Sequence, residues 1–411
     1  MIESLYRDAR IIIDYCLSQV KPDQAVKRAL EQLPAHEGRT ILIAVGKAGW
    51  QMAKAAADCL QGAYDEGYVI TKYDHSKGDI DKFTIFEAGH PVLDENSVKA
   101  TGEVIKAVED LKAEDRVLFL ISGGGSALFE KPLISLEEFT RINKDLLACG
   151  ADIVEMNTLR KRLSGVKGGR FAQICAPAHV YSIILSDIVG DHPDMIASGP
   201  AYPDSSTSEE ALAIVKKYGL KFSDTVMELL KAEPVKELDN ITTLVTGGVS
   251  QLCKSAAEAC RRHGYETVVL ADNLSCEARE AGSFLGSIGC YYAGCGRKLA
   301  FVAGGETVVH LKGKGIGGRN QEIALAAADK IAGLSGVTVI SVGSDGTDGP
   351  TDAAGGVTDG ETAGILAAKG MKIFDILEDN DAYHGLQAAD GLVITGATGT
   401  NVNDVAIVTI E

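Results

Sequence analysis

Two rhythms of apolar and polar residues run through this chain, and the uninterrupted apolar runs define its frame. Thr40–Val45 is apolar without a break, the pattern of a strand buried on both faces. It leads through Gly46-Lys47-Ala48-Gly49 into an Ala-rich helical stretch at Gln51–Leu60. The order repeats, with strand patterns at Gly67–Thr71, Phe83–Glu87 and Arg116–Ser122 and a helical one at Ser97–Lys112. The last strand runs straight into Gly123-Gly124-Gly125-Ser126. Strands alternating with helices predict parallel pairing through right-handed crossovers. Ahead of this series, Leu5, Ile12, Ile13, Cys16 and Leu17 form one helical stripe, which can pack on either half of the chain.

Farther along, residues 136–164 read as two helices, Gly165–Arg170 as a loop and Val180–Ser186 as a strand. The Asp-, Pro- and Ser-rich stretch Gly190–Ser208 predicts an ordered or lid-like loop. Helices at Ser208–Tyr218 and Asp224–Leu230 precede a polar connector, Ala232–Asn240, which places a domain boundary between 1–235 and 236–411. A second series then begins at Ile241–Thr246 and continues through Val268–Ala271, Leu299–Val302, Val337–Ser341 and Leu392–Thr395. The expected fold class is α/β, in two domains with largely parallel, helix-flanked sheets. A length of 411 residues, beyond what one ordinary core covers, agrees with it.

Composition narrows the function. With 40 basic and 57 acidic residues the formal net charge is −17, a field that repels nucleic acid and anionic membrane. An anionic substrate then needs a local basic pocket. No apolar run approaches the roughly 20 residues of a membrane span, and the nine scattered cysteines, none in a C-x-x-C pair, read as reduced thiols of a cytoplasmic protein.

The candidate chemistry sits where strands end in glycine. Strand, glycine turn and helix together present backbone N–H groups and a helix dipole to a phosphate. Gly46–Gly49, Gly123–Ser126 and Gly313–Gly318 fit that order, and none is a Walker A loop. Gly313–Gly318 also matches G-x-G-x-x-G, but the acid expected about 20 positions on is displaced to Asp345, which argues against a dinucleotide. Lys47 lies in the first of these turns and Arg319 directly follows the last, and a guanidinium can grip two anionic oxygens at once. Arg160, Lys161, Arg162, Lys167 and Arg170 make a second basic cluster, for which a solvated helix face is the equal alternative. Two acidic loops follow strands, one with Asp187, Asp191 and Asp194, the other with Asp345, Asp348 and Asp352. They suit Mg²⁺ or simple Asx turns.

These segments resemble a known family. Ala44–Ala48, Gly89-His90-Pro91, Ser122–Ala127, Asn157–Lys161, Leu163–Arg170, Leu185–Asp187 and Ile196–Pro200 are similar to the N-terminal domain of glycerate 2-kinases. Gly304–Thr307, Gly317–Glu322, Gly343–Gly349 and Thr400–Asp404 resemble the MOFRL domain of the same family. The resemblance spans nearly the whole chain. It implies a Rossmann-like kinase domain and an α/β MOFRL domain, with ATP-dependent phosphorylation of D-glycerate at its 2-hydroxyl in a Mg²⁺-dependent interdomain cleft. It implies Lys47 and Arg319 as the leading catalytic positions, and a carboxylate within reach, Asp187 or Asp345, is expected to orient or deprotonate the hydroxyl, with Asp187 the catalytic candidate. Gly46, Gly123, Gly124, Gly125, Ser126, Arg160, Lys161, Glu306, Asn320 and Asp345 are expected to bind substrate or phosphate, and Asp187 and Asp191 the metal. The family loop P-G-D-D-P reads Val189-Gly190-Asp191-His192-Pro193 here, so position 192 is not an acid. Members of the family have also been labelled hydroxypyruvate reductases, which keeps a reductase, and beside it a non-catalytic ligand-sensing module, as alternatives. Monomer and homodimer are both open.

Overall fold

A computed structural model describes residues 3–190 and 192–411. Among the described residues twelve strands form two six-stranded sheets flanked by helices, the α/β class expected.

The first sheet contains β1 (Thr40–Val45), β2 (Glu66–Lys72), β3 (Phe83–Ala88), β4 (Arg116–Ile121), β5 (His179–Leu185) and β6 (Ile241–Gly247). Their order is β3-β2-β1-β4-β5-β6, and the pairings from β3 through to β5 are parallel. β1 and β4 are buried at every position, which is why their sequences are continuous apolar runs rather than alternating ones. Below β4 the rings of Phe119, Phe129 and Phe171 pack with centroids 4.8–5.4 Å apart. The strand order reverses direction between β1 and β4, so the crossovers leave these neighbours on opposite sides. In open α/β sheets a crevice forms there, outside the carboxyl ends of the strands.

The second sheet holds β7 (Glu266–Leu274), β8 (Leu299–Gly305), β9 (Val337–Gly343), β10 (Gly355–Asp359), β11 (Leu392–Val393) and β12 (Asp404–Ile410), in the order β11-β10-β9-β12-β8-β7. It is mixed. β7 and β8 are parallel, whereas β12 runs antiparallel to both β8 and β9, and β10 antiparallel to β9. The carboxyl ends of β8 and β9 are thereby brought beside the start of β12, with Asp404 level with both Gly305 and Gly343.

The chain separates into two compact units at places other than the expected 235/236 boundary. β6 joins the first sheet as its edge instead of opening the second series: Val180 N donates to Asn240 O at 2.8 Å, and Asn240 Nδ2 ties down Ala172 O and Ala178 O. The N-terminal helix Glu3–Gln19 belongs with the second sheet, as does a short segment starting at Asp187. Tyr6 OH donates to Leu392 O, Thr400 Oγ1 donates to Val20 O at 2.9 Å, and the Arg262 guanidinium stacks over Tyr15. Among the described residues no helix is long and apolar enough to cross a membrane.

Replacement of Ile13, fully buried on the N-terminal helix, by Ala should cost about 2–5 kcal/mol. Hydrogen exchange should then rise in the helix Val249–Arg262 and stay unchanged in β1 and β4. Loss of protection in β1 and β4 instead would place the helix wrongly.

Candidate active site

The groups nominated by sequence fall into two sets, one on each unit. On the first unit the turns after β1 and β4 meet at the strand-order reversal. Lys47 N donates to Gly123 O at 2.8 Å and Ala48 N to Ser122 Oγ at 3.0 Å, so the two turns are stitched together by main chain. This consumes N–H groups of the first turn and leaves the Lys47 side chain as what that turn can offer. The side chain lies across Gly124, where a Cβ would sit 3.3 Å from Lys47 Cγ and 3.0 Å from the His90 ring. Gly124 also has φ +90, which an L side chain rarely adopts. The N–H groups of Gly123 and Gly124 make no backbone hydrogen bond among the described residues. An anion placed there meets free donors and a lysine.

A buried lysine underpins this turn. Lys167 Nζ donates to Gly125 O at 3.0 Å and to Ala197 O at 2.8 Å, tying the glycine turn to the short 3-10 turn Ile196–Ser198. Burial pushes Lys167 down to about 8, against the opposing pull of Glu130, whose own carboxyl is pushed up by burial. Gly168 N and Gly169 N bond Ser198 O and Gly199 O, so residues 192–204 form an ordered loop pinned to the Gly165–Arg170 segment. Lys161, expected to bind substrate, is instead buried between Asp204 at 3.6 Å and Asp194 at 3.7 Å. Arg162 is buried as well and donates to Thr158 O and Ser206 Oγ. These two are interior counter-charges. Arg160 differs: it lines a cavity together with Gly124 and Ser126.

On the second unit the antiparallel entry of β12 assembles a charged cluster. Arg319 Nε donates to Asp404 Oδ2 at 2.5 Å, Nη2 to Asp404 Oδ1 at 3.3 Å and Nη1 to Glu306 Oε1 at 2.9 Å. Burial lowers the guanidinium's pKa, but the bond and charge of Asp404 outweigh it and hold Arg319 above the ordinary arginine value. Three N–H groups are spent on carboxylates out of the five a guanidinium carries, so two remain for a ligand in a fixed direction. Asn403 Nδ2 donates to Glu306 Oε2 at 3.2 Å and to the main-chain oxygen of Asp187 at 3.3 Å, bringing the end of the β5 loop to this cluster.

Other expected residues carry the frame. Asn320 is buried, accepting from Ser341 Oγ at 2.7 Å and donating to Asp348. Asp345 closes an Asx turn on Thr347 N at 2.9 Å. Asp348 caps the helix Arg319–Lys330 by accepting from Asn320 N and Gln321 N. The loop Gly313–Gly318 spends its donors within the protein: Lys312 N and Gly313 N on Asn380, Lys314 N on Asp379 and Ile316 N on Asp381. A Cβ at Gly313 would come within 2.3 Å of Asp379 main chain, so that glycine serves close packing. The N–H groups of Gly317 and Gly318, where the loop enters the helix, make no backbone hydrogen bond among the described residues. Asp191 lies outside the described residues. Among the described residues no group of three or more His, Cys, Asp or Glu is placed to hold a metal.

His90, Asn403 and Asp404 were not singled out as site residues, and Lys167 and Asp348 were named only as members of the basic cluster and the acidic loop. His90 and Asp404 stood inside the family-like segments, but only the register of β12 reveals Asp404 as the partner of Arg319.

The chain matches a family described as a domain of unknown function, DUF4147, over residues 8–231 and the MOFRL family over residues 299–404. A D-glycerate 2-kinase of Thermotoga maritima is 50% identical over 98% of each chain. A glycerate 2-kinase of Pyrococcus horikoshii is 39% identical over 90% of this chain and 87% of its own. The crystal structure of glycerate kinase from Thermotoga maritima superposes with a TM-score of 0.94, covering 100% of both chains.

Burial raises the Asp348 carboxyl to about 6, against the backbone donors that lower it. Between about pH 4 and 6 the folded chain holds a proton there that the unfolded chain has released, so this group makes stability fall as pH rises through that window. The melting temperature of Asp348→Asn relative to wild type should improve from pH 4 to pH 6.5, by about these limits. A gap that stays constant with pH contradicts the assignment.

Proposed function

The chain belongs to the glycerate 2-kinase family, a DUF4147 domain followed by a MOFRL domain, and we propose that it transfers the γ-phosphoryl group of ATP to the 2-hydroxyl of D-glycerate, giving 2-phosphoglycerate and ADP. The observation that carries this reading is the pairing of Lys47 with the open N–H groups of Gly123 and Gly124 at the strand-order reversal. Phosphoryl transfer asks a protein for positioning and charge neutralisation more than for covalent chemistry. Lys47 neutralises charge on the transferring group, and Gly123 and Gly124 hold phosphate oxygens through main-chain donors. Arg319, aimed by Asp404 and Glu306, is the second cation of the reaction.

Mg²⁺ usually keeps several waters and takes one or two carboxylates plus phosphate oxygens, so a full protein cage is not required. The hard oxygens of the loop after β5 fit that chemistry, and Asp187 is the carboxylate assigned to it, with Asp191 as its expected companion. Bound there, the ion would supply charge neutralisation between phosphates. Asp345 has one carboxylate oxygen committed to its turn, and Asp187 is the group assigned to orient the acceptor hydroxyl.

Lys47→Ala and Arg319→Ala should each lower the turnover of glycerate-dependent ADP release by about 10²-fold or more, with melting temperatures near wild type. Turnover within about threefold of wild type in either variant would remove that residue from the scheme.

A further inference from the structure

Beside the Gly124 turn lies a cavity of about 120 Å³. Ligand sites for drug-sized molecules run to roughly 300–1,000 Å³, so this one suits a three-carbon acid rather than a nucleotide. Its polar lining is directional. Arg160 Nε donates to Asn143 Oδ1, and Asn143 is itself fixed by donating to Phe139 O at 2.9 Å. Arg160 makes no ion pair among the described residues, unlike its neighbours Lys161 and Arg162, which share Asp204. No carboxylate lies within ion-pair distance of its remaining N–H groups among the described residues, although Glu130 across the cavity attracts the guanidinium.

A hydroxyl chain lines the same space. Ser198 Oγ donates to Asn157 Oδ1 at 3.2 Å, so the 3.2 Å contact between Ser126 and Ser198 takes its proton from Ser126. Ser126 is left with lone pairs to accept from a ligand hydroxyl. Glu130 also borders the cavity. Its Oε1 accepts from Ser164 Oγ and from Lys131 N, and the buried Lys167 offsets its charge. Leu93, Phe139 and Ala127 supply an apolar wall for carbon. An unpaired guanidinium, a hydroxyl acceptor and a short apolar wall together describe a small hydroxy acid.

We propose that this cavity is the acceptor subsite, with Arg160 gripping the substrate carboxylate, Ser126 accepting from a substrate hydroxyl, and the pair together selecting hydroxy acids over neutral polyols. The assignment rests on the kinase reading for its substrate, yet binding tests it without turnover. Isothermal titration should show D-glycerate binding wild type at least tenfold more tightly than its neutral amide, a difference of about one charge-assisted interaction. Arg160→Met should weaken glycerate about 10–100-fold and erase the preference for the acid, while Arg160→Lys, which keeps the charge without the fork, should fall between. Melting curves establish folding, and Arg160→Lys carries the test should the Met variant fail to fold. Glycerate affinity in the folded variant within about threefold of wild type, or no glycerate binding to wild type, overturns the subsite. Binding that depends on Arg160 without glycerate-dependent ADP release keeps the subsite and overturns the kinase reading. ADP release with only the ATP KM altered in the variant does the reverse.

Discussion

The strand order of the first sheet is the constraint from which the site follows. Where crossovers leave two neighbouring parallel strands toward opposite faces, nothing covers the carboxyl ends between them. β1 and β4 are that pair, and each runs directly into a glycine turn. Main-chain bonds from Lys47 and Ala48 to Gly123 and Ser122 then fix one turn against the other. A Cβ at position 124 would press on His90 at 3.0 Å and on Lys47 at 3.3 Å, and the φ of +90 there disfavours any L side chain, so glycine suits the place where the lysine lies over the turn.

Charge is managed on each unit by the same device. The chain carries a net −17, so cations survive as functional groups only where they are placed and protected. Carboxylates fix three of the Arg319 donors and so choose where the other two point. Lys167, Lys161 and Arg162 sit inside the first unit as counter-charges and staples. Arg160, one residue away from Lys161, escapes that pairing and faces a cavity. Position on the helix Ile153–Arg162 separates the structural cations from the half-buried one that lines the cavity.

How much of this was legible in the sequence depended on the kind of signal. β1, β4 and their glycine turns were legible because a doubly buried strand must be continuously apolar and a tight exit must be glycine. Lys47 stood in the turn after β1 and Arg319 directly after the glycine-rich loop Gly313–Gly318, and both could be nominated directly. The placement of β6 was not legible, since its edge position gives it the same pattern as the start of a new series. β12 was not among the expected strands, and its antiparallel course has no signature in the pattern, because apolar content reports burial, not direction. With it went Asp404, whose role exists only through a register. Lys161 and Arg160 are adjacent, identical in charge and indistinguishable by pattern; which one meets a carboxylate is a tertiary fact. The G-x-G-x-x-G match at Gly313–Gly318, already doubtful as a dinucleotide fingerprint, has a packing reason at Gly313, since close approach to Asp379 also demands glycine.

The central claim is that the chain phosphorylates the 2-hydroxyl of D-glycerate. Phosphorus NMR of the purified protein with MgATP and D-glycerate tests it most directly. The account predicts ADP and 2-phosphoglycerate appearing together in equal amounts, and neither without glycerate. A 3-phosphoglycerate signal, or NADH oxidation with hydroxypyruvate in place of any phosphorylated product, would contradict it.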